Sequence, residues 1–142
     1  MKLRLIYSEV LTLSLLKVKE MSNIYGANPD YVLAGGGNTS FKDESFIYVK
    51  GSGVSLASIT EAGFVKMERN AIKNIFTKQY PDNEEQREAA VLKDMMYARC
   101  EGEESKRPSV ETLLHEVLPF QFVLHIHPAM VNGMTWVSHR LE

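Results

Sequence analysis

Apolar positions recur along the chain with two different periods, and the switches between them mark the predicted elements. Val10, Leu11, Leu13, Leu15, Leu16, Val18, Met21, Ile24 and Tyr25 recur at helical spacing. They predict an amphipathic helix that starts near Ser8-Glu9 and stops at Gly26. Asn28-Pro29-Asp30 is a turn. Residues 46–50 and 64–67 are short runs of β-formers and predict strands. Helical spacing returns at 71–76 and 84–99, where Asp82 and Glu85 have the spacing of a capping box. The polar run 101–107 reads as a loop. A further helix follows, with Ser109 as its N-cap candidate and Pro119 beyond its end. No internal repeat is present.

The last strand predicted, Phe122-Val123-Leu124-His125-Ile126-His127, carries the strongest chemical signal. Successive side chains in a strand point to opposite faces. Phe122, Leu124 and Ile126 therefore share a core face, and Val123, His125 and His127 share the other. Two imidazoles held side by side by a rigid strand can grip one divalent metal. Two partly exposed structural histidines are the alternative at this point.

Two glycine turns are the next candidates. Gly35-Gly36-Gly37 leads into Asn38-Thr39-Ser40, and Gly51-Ser52-Gly53 follows the strand at 46–50. Such turns can aim several backbone N–H groups at one anion. They can equally be tight connections. Neither the dinucleotide fingerprint nor the lysine of the nucleotide-binding P-loop is present, so neither of those two uses is supported. Glu111 and His115 stand four apart on one helix face. A helix turning directly into the His-x-His strand can bring Glu111 to the imidazoles, as ligand or as proton-transfer group. Complementing the positive end of its own helix is the other reading of Glu111.

Composition narrows the class without changing this picture. The 142 residues suffice for one domain, and 44% apolar with 24% charged residues is ordinary for a globular protein. A formal net charge of -2 offers no electrostatic footprint for nucleic acid or an anionic membrane. Cys100 is the single cysteine, so an intrachain disulfide is impossible, which suits a cytoplasmic protein. Its acidic neighbours Glu101, Glu103 and Glu104 do not favour a thiolate nucleophile. No stretch approaches the ~20 apolar residues of a membrane span, and no targeting segment is read at the N-terminus.

The motifs occur in one order: Gly37-Asn38-Thr39-Ser40, Gly51-Ser52-Gly53, Pro108-Ser109-Val110-Glu111, and His125-Ile126-His127-Pro128. Over residues 31–133 the chain resembles the class II aldolase/adducin family, and within it the aldolase part of rhamnulose-1-phosphate aldolase-like proteins. The resemblance implies an α/β fold, a three-layer α/β/α domain around a mainly antiparallel sheet. It also implies a homo-oligomer, usually a tetramer, and a zinc-dependent cleavage of a ketose 1-phosphate of the L-rhamnulose or L-fuculose type. The products would be dihydroxyacetone phosphate and a small aldehyde. By the same resemblance Gly37, Asn38, Thr39, Ser52, Gly53 and Ser109 would hold the substrate phosphate. Glu111 would be the catalytic acid/base, and His125 and His127 would be zinc ligands.

Two departures from the family pattern shape the expectation. The family's third zinc histidine lies far beyond the His-x-His pair. The only later histidine here, His139, does not match that spacing and is not assigned as a ligand. Val110 stands where the family has a second hydroxyl residue before the glutamate. Residues 1–142 are thus expected to be a single domain lacking its C-terminal part. Two other functions stay open: an adducin-like binding or oligomerisation module, and a metal-dependent sugar-phosphate epimerase or decarboxylase on the same fold.

Overall fold

The computed structural model describes residues 2–33 and 35–138, with side chains described over 8–33 and 35–134. Four strands form one sheet in the order β3-β2-β1-β4, every pair antiparallel. They are β1 (Asn38–Lys42), β2 (Phe46–Lys50), β3 (Phe64–Glu68) and β4 (Phe122–His125). Around them lie α1 (Lys2–Gly26), α2 (Arg69–Thr77), α3 (Glu84–Tyr97), α4 (Thr112–Val117) and α5 (Ala129–Ser138). This is the α/β architecture expected.

Strand parity divides the core in two. On one face, Phe41, Tyr48 and Phe64 pack with Ile59 against Val18 of α1, with Phe122 alongside. On the other, Ile47, Val49, Val65 and Met67 pack against Ile72 and Ile75 of α2 and Met95 of α3. Apolar residues on both faces of the sheet thus demand helices on both sides.

Four local expectations shift. The expected glycine turn ends at Gly37, and Asn38 to Lys42 form a strand, because Asn38 to Phe41 pair with β4 and Ser40 to Lys42 pair with β2. The cap of α3 is Asn83, whose side chain accepts the Gln86 N–H at 3.0 Å, rather than Asp82. β4 ends at His125 instead of His127. Beyond it the His127 N–H donates to the Tyr31 carbonyl at 2.9 Å, so the chain leaves the ladder for the loop after α1. The last helix before β4 starts at Thr112, three residues after Ser109, although the Ser109 hydroxyl still accepts the Glu111 N–H at 3.3 Å.

A candidate metal centre between β4 and α4

Asn38, Ser40 and Lys42 face the α2–α4 side of β1, as do Val123 and His125 of β4. Register makes Asn38 the direct cross-strand partner of His125, and Ser40 that of Val123. Phe41 and Phe122, which face α1, are likewise paired, with ring centroids 5.2 Å apart. Past the strand end His127 folds back over His125. Their Nε2 atoms are 3.0 Å apart and their rings 4.7 Å apart. Two ring nitrogens so close must either share one proton or converge on one cation.

Glu111 arrives from the other side. Its Oε1 lies 3.3 Å from Nδ1 of His125, without hydrogen-bond alignment. Glu111, His125 and His127 each offer a ligand atom within 4.8 Å of the others, and all three are half-buried. Among the described residues this is the group of that kind that the fold assembles. Two imidazoles and a carboxylate are a donor set that suits zinc and several other divalent ions. His139 lies outside the described residues.

The two glycine turns border this group. At Gly37 φ is +74°, and a side chain there would meet the His125 carbonyl at 2.9 Å, so the turn presses directly on β4. Gly36 lies against the His127 ring. The second turn is tied to the entry of α4: Gly51 pairs with Pro108, and the Ser52 N–H donates to the Arg107 carbonyl at 2.8 Å. Ser52 and Gly53 are exposed, and Ser109 is half-buried. Gly53 has a φ of +79° with open space around it.

Asn38 is fully buried, yet neither its amide nitrogen nor its amide oxygen finds a hydrogen-bond partner among the described residues. A buried polar group left unpaired is costly and calls for a reason. A place at the rim of a ligand site is such a reason. Thr39 is a correction to the expected phosphate set. Its side chain points to the opposite face, where its hydroxyl shares a 2.7 Å hydrogen bond with Ser22 of α1. Period-2 alternation prevents adjacent residues of one strand from lining the same site.

The supports of α4 were not legible in the sequence. The buried Lys42 ammonium donates to the carbonyls of His115, Glu116 and Leu118 at the helix end. Burial pulls its pKa down, partly offset by Glu116. Arg69 holds Glu116 with Nε and Nη2 at 2.9–3.1 Å and donates also to the Asp43 carbonyl. His115 is fully buried, its Nδ1 sharing a 2.8 Å hydrogen bond with the Ser40 hydroxyl. Burial pushes its pKa down to about 4; Glu111 opposes that shift, while His125 and Lys42 add to it. At neutral pH the ring is uncharged. A lysine two residues from a serine in β1 is the sequence signal, but the polar residues of β1 carry no apolar strand pattern.

The fold and this group of side chains together define an aldolase-type α/β domain. The sequence profile of the class II aldolase and adducin N-terminal domain matches residues 20–141, and the chain belongs to that family. A solved structure of the N-terminal class II aldolase domain of a conserved protein from Thermoplasma acidophilum superposes with a TM-score of 0.68 at 31% identity. It covers 83% of this chain and 56% of that one. A curated relative, the uncharacterized oxidoreductase YuxG of Bacillus subtilis (strain 168), is 33% identical over 117 residues, 75% of this chain. The chain spans 16% of that relative's length. No described helix is long and apolar enough to cross a membrane.

Proposed function

We propose that this chain is a divalent-metal-dependent, aldolase-type lyase domain acting on a ketose 1-phosphate of the L-rhamnulose or L-fuculose type. The carrying observation is the convergence of Glu111, His125 and His127 within 4.8 Å beside the unpaired amide of Asn38. His125 and His127 would hold the ion, zinc in the first instance, with Glu111 within reach as a third donor. A divalent ion there supplies Lewis acidity for the carbonyl and hydroxyl oxygens of the ketose. Glu111 moves the proton that carbon–carbon cleavage requires, taking it from the C4 hydroxyl as the C3–C4 bond breaks and the aldehyde carbonyl forms, and returning it to C3, which completes dihydroxyacetone phosphate. Asn38 fixes the phosphate, with the backbone at Gly37 and the Ser52, Gly53 and Ser109 turn as its outer wall. Holding the phosphate away from the breaking bond orients the reacting carbons. The products are dihydroxyacetone phosphate and a small aldehyde such as lactaldehyde.

The same reading includes a cytoplasmic setting and self-association, with a homotetramer as the expected form. Large apolar side chains left exposed along α4 and α5, including Val117, Met130 and Met134, support self-association. The oxidoreductase name of the Bacillus relative describes a protein of which this chain matches a small part, and it is not carried over.

The test is metal content after loading with zinc and dialysis, for wild type and the His125→Ala/His127→Ala variant, followed by cleavage assays with L-rhamnulose 1-phosphate and L-fuculose 1-phosphate. Near-stoichiometric zinc that the double variant loses, together with aldehyde release, is the expected result. Zinc retained without cleavage of either ketose would point to the epimerase-type reading. Failure of the wild type to hold metal would leave the adducin-like binding module.

A further inference from the structure

The apolar contribution to holding α4 in place is small. Val110, Leu114 and Val117 are 69%, 50% and 64% exposed, and Leu113 is the partly buried apolar residue that reaches the core. Buried polar contacts take over that task. Lys42 and the Arg69–Glu116 pair hold the helix near its C-terminal end. His115 differs from them because it lies against the candidate metal centre. Its ring centroid is 6.4 Å from that of His125, and its backbone N–H donates to the Glu111 carbonyl at 3.1 Å. Through Nδ1 it is bonded to Ser40, one step along β1 on the same face as Asn38. One fully buried ring thus touches β1, the strand that faces His125, and stands beside the His125 ring, while the backbone of the same residue closes the turn that carries Glu111.

We propose that His115 is the positioning residue of this centre. Its bond to Ser40 fixes how closely α4 approaches β1, and so where the Glu111 carboxylate stands relative to His125. The ring also backs His125 and limits its tilt. Groups that orient metal-site side chains in this way are commonly worth about 10- to 100-fold in metal affinity. The proposal rests on the metal-site reading above. It adds a role for a histidine that touches neither metal nor substrate.

The experiment is a Co²⁺ titration of the full chain, read by calorimetry and by the visible band of the bound ion. The variants are His115→Ala, His115→Asn, His115→Gln and Ser40→Ala/His115→Asn, each checked for folding by circular dichroism. Asparagine returns a polar atom near the Nδ1 position, whereas glutamine places its amide near Nε2. We expect His115→Ala and His115→Gln to weaken Co²⁺ binding about 10- to 100-fold and to shift the visible band. His115→Asn should recover most of the affinity, and removing the Ser40 hydroxyl should abolish that recovery. Wild-type affinity and spectrum in His115→Ala would overturn the proposal, as would equal losses in His115→Asn and His115→Gln. If His115→Ala does not fold, the Asn and Gln pair decides. If the wild type binds no Co²⁺, the metal reading fails, and crystal structures of the Asn and Gln variants then decide the positioning role. A Glu111–His125 separation kept in the Asn variant and opened in the Gln variant supports it; an unchanged separation in both overturns it.

Discussion

Glu111 stands 3.3 Å from His125, although one residue precedes a short helix and the other ends a strand. That approach is the relationship on which the proposed chemistry depends. Replacing Glu111 by Gln keeps the shape and removes the base. The kcat for ketose 1-phosphate cleavage should fall by about 10² to 10⁴, with KM changed far less, as steady-state assays at saturating metal will show.

Asn38 should separate binding from stability. Its buried amide is unpaired among the described residues, so Asn38→Ala removes a desolvated polar group at the same time as it opens a small cavity. The two effects oppose one another, and the midpoint of urea unfolding should correspond to a change within about 1 kcal/mol. The KM for the phosphorylated ketose should nevertheless rise about tenfold or more, because a charge-assisted hydrogen bond to phosphate is lost.

The Arg69–Glu116 pair predicts the opposite pattern. The Glu116 side chain is only 2% exposed and accepts from both Nε and Nη2 of the guanidinium. Arg69→Met leaves a buried carboxylate without its counter-charge and should cost about 3–5 kcal/mol, measured by denaturant unfolding. Glu116→Gln together with Arg69→Met should recover part of that loss, since the stranded charge is then gone.

His115 predicts the pH response of the metal-free protein. Its folded pKa is depressed to about 4 from an ordinary 6.5. Above pH 6.5 the ring is neutral in both folded and unfolded chains and contributes no pH dependence. As pH falls from 6.5 towards 4, the unfolded chain takes up a proton that the folded one refuses, and stability is lost, by roughly 3 kcal/mol at most. Below 4 both states are protonated and the loss is complete. Unfolding free energies of His115→Asn over the same range should have a shallower slope.

The glycine turns differ in what a methyl group would do. Gly37→Ala meets both a positive φ and the His125 carbonyl at 2.9 Å, whereas Gly53→Ala meets only the positive φ. Gly53→Ala should cost about 1 kcal/mol. Gly37→Ala should cost more and also weaken Co²⁺ binding, because the backbone that must move belongs to His125.

Periodicity in the sequence determined α2, α3, β2 and β3 to within a few residues, and the end of α1 at Gly26, because each buries an apolar stripe or face whose spacing is visible in one dimension. The helix α1 itself begins at Lys2, well ahead of the expected start at Ser8-Glu9. The same alternation placed His125 on the site-facing side of β4, whereas His127 reaches the site from beyond the strand end. The motif order pointed to the class II aldolase/adducin family. β1 escaped because its site-facing residues are polar: Asn38, Ser40 and Lys42 are buried by neighbours drawn from distant parts of the chain. The tertiary structure also decided that Thr39 turns to Ser22, that Lys42 and Arg69 hold α4, and that Ser40 meets His115. Each is a contact between residues far apart in the chain, made in a buried setting where a polar group must find a partner. Local propensity carries no information about which partner that will be.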